Sequence, residues 1–123
     1  MLTNNLLIYK DTYSFILQLM KYINNFPKRI QYGQGEKSID ISLSALDLIY
    51  VANSSIEDRY ENLTKFLQLI GAVRSRIRLF GEMRYLSVKQ TTILMLMLDK
   101  IVKQAINWRN ASKNTKSIKS PDT

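Results

Sequence analysis

Apolar residues recur at alternating steps of three and four in three segments of this chain, and that spacing constrains the fold most. Leu6, Tyr9, Tyr13, Ile16, Met20 and Ile23 make the first stripe. Leu63, Phe66, Ile70, Val73, Ile77 and Phe80 make the second, and Leu94, Leu98, Ile101, Ala105 and Trp108 the third. Such steps hold side chains on one side of an α-helix, whereas a strand requires a period of two. The fold class expected is all-α. Short connections between helices of about 20–30 residues favour antiparallel neighbours, so the architecture expected is an up-down-up-down four-helix bundle.

Local signals place the helices. The first is expected over about residues 4–26, capped by Thr3 or Asn4 and stopped by Pro27. The second begins somewhere between Lys28 and Glu36, because Gly33 and Gly35 each weaken a helix by about 1 kcal/mol. It continues to Asn53, with Ile39, Leu43, Leu46 and Tyr50 as its stripe and Ile49 and Ala52 beside them. Ser55 is the expected cap of the third helix, whose first turn would carry Glu57 and Asp58 against the positive end of the helix dipole. That helix is expected to reach about Arg84, with Gly81 as an earlier stopping point. Gly71 lies inside it, either admitting a neighbouring backbone or simply tolerated. Ser87 and Gln90 have capping-box spacing and open the fourth helix, which is expected to end near Asn110. Residues 1–110 thus form the bundle, and residues 111–123, with Ile118 as their one large apolar residue, are expected to be a disordered basic tail.

What the chain lacks narrows its chemistry. None of its 123 residues is cysteine or histidine, which removes disulfides, thiolate ligands, imidazole ligands and every Ser-His or Cys-His nucleophile. The helical stripes hold no carboxylate, imidazole, thiol or amine, so an enzyme or cofactor-carrying bundle is disfavoured. No catalytic residue, metal site, cofactor or small-molecule substrate is expected. Residues 93–98 form the longest apolar run, far short of the roughly 20 residues that cross a bilayer. Polar residues interrupt the N-terminus early, unlike a secretory signal. A soluble, cytoplasmic protein without membrane contact is the expectation.

Charge points to function. Eighteen Lys and Arg against ten Asp and Glu give a net charge of +8, suited to phosphate backbones or acidic proteins. The excess is uneven. Residues 28–58 hold three bases and five acids, whereas residues 59–84 hold six bases against Glu61 and Glu82. Residues 100–123 hold six more bases against Asp122. Arg74 and Arg78 share a helix face and repel each other unless an anion intervenes. Arg76 projects about 200° from Arg74. No acid lies between Glu61 and Glu82, so these arginines lack partners on their own helix. Guanidinium groups grip phosphate or carboxylate in a bidentate way that lysine cannot. Lys113, Lys116 and Lys119 serve solubility or nonspecific nucleic-acid contact.

Tyr9 and Tyr13 fall in a stripe and are expected in the core, and Trp108 in the core or at a subunit contact. Ile8, Phe15 and Leu19 widen the first helix beyond one stripe, and Ile93, Met95, Leu96, Met97 and Val102 do so for the fourth. Helices apolar around most of their circumference need more cover than one bundle supplies, so self-association is expected.

These residues resemble the accessory variability determinant proteins of diversity-generating retroelements, and the related four-helix proteins of bacterial 23S rRNA intervening sequences. The likeness spans roughly residues 5–110. It is carried by Leu6-Leu7-Ile8-Tyr9 with Thr12-Tyr13 and Phe15, then Phe26-Pro27-Lys28, Gly35 and Ala52-Asn53. Arg74, Arg78 and Arg84 follow, then Leu86-Ser87-Val88-Lys89-Gln90, and finally Trp108. The resemblance implies a ring-like homo-oligomer, a pentamer, with a positively charged surface. It implies partners in a reverse transcriptase and in RNA, with DNA as an alternative, and a non-enzymatic part in mutagenic reverse transcription (retrohoming) encoded by a bacterium or phage. Partner-binding arginines of the family map onto Arg74 and Arg78, then Arg84; Arg76 stands where the family has an apolar residue, so either the charged belt is wider here or one subunit contact differs. Gln31-Tyr32-Gly33-Gln34-Gly35 departs from a more helix-favouring stretch in the family. The alternative reading is a 23S rRNA intervening-sequence protein with RNA-associated work and no reverse transcriptase. A reverse transcriptase gene beside imperfect repeats, or a position inside an rRNA gene, separates the two.

Overall fold

The computed structural model describes the backbone of residues 3–119 and the side chains of residues 7–113. Four long helices, α1 (Thr3–Ile23), α3 (Glu36–Ser54), α4 (Arg59–Glu82) and α5 (Val88–Lys119), account for most of the chain. A short turn of helix, α2 (Lys28–Ile30), passes through a π-helical turn (Gln31–Gly35) into α3. No strand occurs among the described residues. α1 packs against α3 and α5, and α4 also packs against α3 and α5, closing four helices around one core. The all-α expectation and the four helices agree with this arrangement. The cap expected at Thr3 or Asn4 lies outside the described side chains.

The stripes of α4 and α5 are the core faces that their spacing predicts. Leu63, Phe66, Ile70, Val73, Ile77 and Phe80 are all buried, as are Leu94, Leu98, Ile101 and Ala105, and Trp108 packs partly against them. On α1 and α3 the expected stripes are only partly buried: Ile16 and Ile23 on α1 and Leu46 on α3 are in the core, but the rest of the buried face comes largely from residues one position earlier. Ile8, Thr12, Phe15 and Leu19 are buried on α1, whereas Tyr13 is 51% and Met20 44% exposed. On α3 Ser38, Ser42, Ala45 and Leu46 are buried together with Ile49 and Ala52, the two residues expected beside the stripe, while Leu43 and Tyr50 are exposed. One residue is about 100° of helix rotation. On α1 the added face carries Ile8, Phe15 and Leu19, with Thr12 buried among them, while Tyr13 stays exposed and Tyr9 packs only partly against the core. On α3 it carries small residues whose polar groups are already satisfied. Ser38 Oγ donates to the Gln34 carbonyl at 2.7 Å and Ser42 Oγ to the Ser38 carbonyl at 2.8 Å, so neither hydroxyl is orphaned by burial.

The connections fix how the helices meet. α1 ends at Ile23, earlier than its expected stop, and Phe26 turns inward to lie edge-on to Phe80 at 5.0 Å and beside Tyr85 at 5.7 Å. Gly33 leaves helical geometry at φ −97° and ψ −106°, which accounts for the uncertain start expected for the second helix. Gly35 is buried, and a Cβ there would lie 2.8 Å from Cγ2 of Ile23 and 3.0 Å from the Ile30 carbonyl oxygen. Ser55, the expected cap of the third helix, instead ends α3 in extended conformation, and Glu61 rather than Glu57 or Asp58 is the acid in the first turn of α4.

The capping box at the start of α5 is present: the Ser87 amide donates to Gln90 Oε1 at 2.9 Å and the Gln90 amide to Ser87 Oγ at 3.0 Å. α5 runs on through Lys119, so the tail expected from Ala111 is helical over most of its length. Ser112 extends the buried stripe, its hydroxyl donating to the Trp108 carbonyl at 2.9 Å, and proline is absent until Pro121. Residues 120–123 lie outside the described residues.

Candidate functional site

The helical repeat of α4 sets where its arginines go. Val73, Ile77 and Phe80 face the core, which turns Arg74 and Arg78 toward α5 and sends Arg76 to the other flank. These positions divide the predicted site. Arg74 is partly buried: its Nη2 donates to Asp99 Oδ1 of α5 at 2.8 Å, and its Nη1 meets Met95 Sδ at 3.6 Å. Arg74 has no acidic partner on its own helix, as expected, but it is not free of one. Its counter-ion comes from another helix, 25 residues along the chain. Charge bookkeeping within one helix does not see such a pair.

Arg78 is exposed and makes no hydrogen bond or ion pair among the described residues. It lines an open cleft of about 330 Å³ between the end of α4 and the start of α5, together with Gly81, Glu82, Val88, Thr91, Thr92 and Met95; Glu82 is the one acid of that lining and forms no ion pair with Arg78. Met95 thus touches Arg74 and also lines the cleft beside Arg78. The two arginines share one side of the molecule, one tied and one free. Gly81 allows the helices to close at this corner, because a Cβ there would meet Thr91 Oγ1 at 2.8 Å.

Arg76 is not part of that strip. Its Nη1 turns back to the Ala72 carbonyl at 3.1 Å, and its Nε is buried without a partner. Arg84 has a structural assignment of its own. It is the one described non-glycine residue with positive φ, at 64°, immediately after the end of α4. The Arg84 amide donates to the Gly81 carbonyl at 3.1 Å and the Tyr85 amide to the Phe80 carbonyl at 2.9 Å, the two bonds of a Schellman helix end. Glycine is the residue usually found there, since a side chain costs about 1 kcal/mol in the left-handed region. Arg84→Gly is expected to raise the melting temperature while deleting a candidate binding charge. A lower melting temperature would show that the arginine does more here than end a helix.

Two further arginines escaped the sequence reading. Arg59 Nε donates to the Ala52 carbonyl at 2.7 Å and its Nη2 to the Asn53 carbonyl at 3.3 Å, covering the open C-terminus of α3. Its guanidinium also sits 5.4 Å from the centre of the Trp108 ring. Burial lowers the Arg59 pKa, and the two carbonyls compensate the cation for lost water. Arg109 lies 5.4 Å from the Tyr60 ring centre, with Nη1 3.5 Å from Thr64 Oγ1. An arginine placed just after a helix end is the sequence signal that could have identified Arg59. Both cations serve packing at the end of the bundle.

Among the described residues no helix is long and apolar enough to cross a membrane, and no cluster of three or more carboxylates is placed to hold a metal ion. No protein-family model, curated protein or solved structure matches the chain.

Proposed function

We propose that the chain is a non-enzymatic accessory protein of a diversity-generating retroelement. In this reading it binds a reverse transcriptase and the template RNA through the α4–α5 side and supports mutagenic reverse transcription. The observation that carries it is Arg78, a cation without an internal partner at the edge of a cleft, four residues from Arg74. The resemblance over roughly residues 5–110 adds the partner classes. Arg74 contributes less than its spacing implied, because Asp99 already holds it. Arg84 and Arg76 stand at the margin.

Antiparallel order is the arrangement favoured for the bundle. Phe26, just after α1, meets Phe80 near the end of α4, while Arg59 at the start of α4 reaches the end of α3 and Trp108 late in α5. Self-association into a ring, a pentamer in the resembling family, is supported by the displaced stripes. Tyr13, Leu17 and Met20 on α1 and Leu43 and Tyr50 on α3 stay exposed in the single chain. They replace Ile8, Phe15 and Leu19, which the core consumes. Light scattering on dilute protein should give a mass several times that of one chain; a monomer would remove the ring.

Binding to single-stranded RNA should weaken steeply with added salt, because phosphate contacts release counterions. Arg78→Ala should weaken it at every RNA sequence and lower the salt slope by about one. The circular dichroism spectrum should not change. Binding that is insensitive to Arg78→Ala would count against this face as the site.

A further inference from the structure

Arg74 and Arg78 differ in one respect that matters to any anionic ligand. The Arg78 guanidinium is free, whereas Nη2 of Arg74 is bonded to Asp99 at 2.8 Å across the α4–α5 seam. A carboxylate offers a guanidinium the same kind of paired acceptor oxygens that a phosphodiester does. Asp99 therefore stands where a phosphate bound to Arg74 would stand. Its side chain is 60% exposed and that of Arg74 30%, so the pair is reachable from solvent.

We infer that Asp99 is an internal competitor for Arg74, a carboxylate that covers this arginine until a nucleic-acid phosphate displaces it. The inference rests on the proposed reading of the face as an RNA-binding one. Arg78 makes the first contact, since it has nothing to give up. Once a strand is held there, its neighbouring phosphates lie at high local concentration beside Arg74. An ion pair exposed to this degree is weak enough for that exchange. A single anion, unanchored at Arg78, has no such advantage. Asp99 would thus tune the face toward polyanions and away from isolated phosphates or carboxylates.

The test is fluorescence anisotropy of a labelled single-stranded RNA oligonucleotide at fixed salt. Wild type is compared with Asp99→Asn, Arg74→Ala, the double variant Asp99→Asn with Arg74→Ala, and Arg78→Ala. Asp47→Asn serves as control, since Asp47 is an exposed acid on α3 and its loss changes net charge equally. Asp99→Asn should tighten binding roughly two- to fivefold beyond Asp47→Asn, the range an exposed ion pair allows. That gain should vanish in the Arg74→Ala background. Equal effects of Asp99→Asn and Asp47→Asn would overturn the inference. So would weaker binding by Asp99→Asn, which would make Asp99 a residue that positions Arg74 for the ligand. If Arg78→Ala weakens binding and Asp99→Asn leaves it unchanged, the competitor falls and the binding face stands. If wild type does not bind RNA, both fall.

Discussion

Phe80→Ala is expected to destabilise the chain by about 3–5 kcal/mol, the usual loss for a fully buried phenylalanine. The ring is 1% exposed and meets Phe26 edge-on at 5.0 Å, and Phe26 in turn lies 5.7 Å from Tyr85. The truncation thus opens a void where the turn after α1 and the turn after α4 lean on each other. Backbone bonds from Tyr85 and Leu86 to the Phe80 carbonyl survive the change, so the loss measures packing and not the helix end. A domain of this size holds about 5–15 kcal/mol in total, and the variant should be marginal. Urea unfolding is the measurement. Leu79→Ala, one residue away and 49% exposed, should shift the midpoint little. Similar shifts for the two variants would mean that this corner is not the anchor described.

Two glycines should respond to alanine with opposite signs. At Gly35 a methyl group would press within 2.8 Å of Ile23 Cγ2, a buried side chain, and 3.0 Å from the backbone oxygen of Ile30. Neither neighbour has room to retreat, and overpacking of this kind costs about 1–3 kcal/mol. At Gly71 nothing lies within 4 Å of the added carbon, and the residue is exposed within α4. Gly71→Ala should therefore gain about 1 kcal/mol from helix propensity alone. This decides between the two roles left open for Gly71: it is tolerated and not a contact point. Thermal melts of both variants check the pair, and a Gly35→Ala protein as stable as wild type would contradict the tight corner.

The differences between sequence expectation and structure share a physical origin. On α4 the large apolar residues outside the stripe, Tyr60, Leu67, Leu69 and Leu79, make no second series of three- and four-residue steps, so periodicity alone identified its core face. On α1 two stripes compete one residue apart, and periodicity cannot rank them. The hydroxyl of Tyr13, which stays exposed, was the available clue. On α3 the buried face adds Ser38, Ser42 and Ala45 to Leu46, Ile49 and Ala52, and a search for large apolar residues passes over those first three. What selects it is contact with α1 and α4, a tertiary effect. The candidate site was legible to the same degree. The register that sets Arg74 and Arg78 on one side is local and readable, as is the Ser87–Gln90 cap. The Asp99 partner is not local, because it requires knowing which flank of α5 faces α4. Arg84 was read as a charge because its backbone role, a left-handed residue after a helix, carries no glycine to announce it.

The π-helical turn at Gln31–Gly35 holds one residue more per loop than an α turn. That surplus acts as a phase adjuster for everything downstream until Ser54. Excising one residue from the loop would bring Ile39, Leu43, Leu46 and Tyr50 round to the positions now taken by Ser38, Ser42, Ala45 and Ile49. A single-codon deletion there would thus put bulkier residues at the inward places of Ser38, Ser42 and Ala45 and a carboxylate, Asp47, at that of buried Leu46, turning this helix without altering a side chain of it.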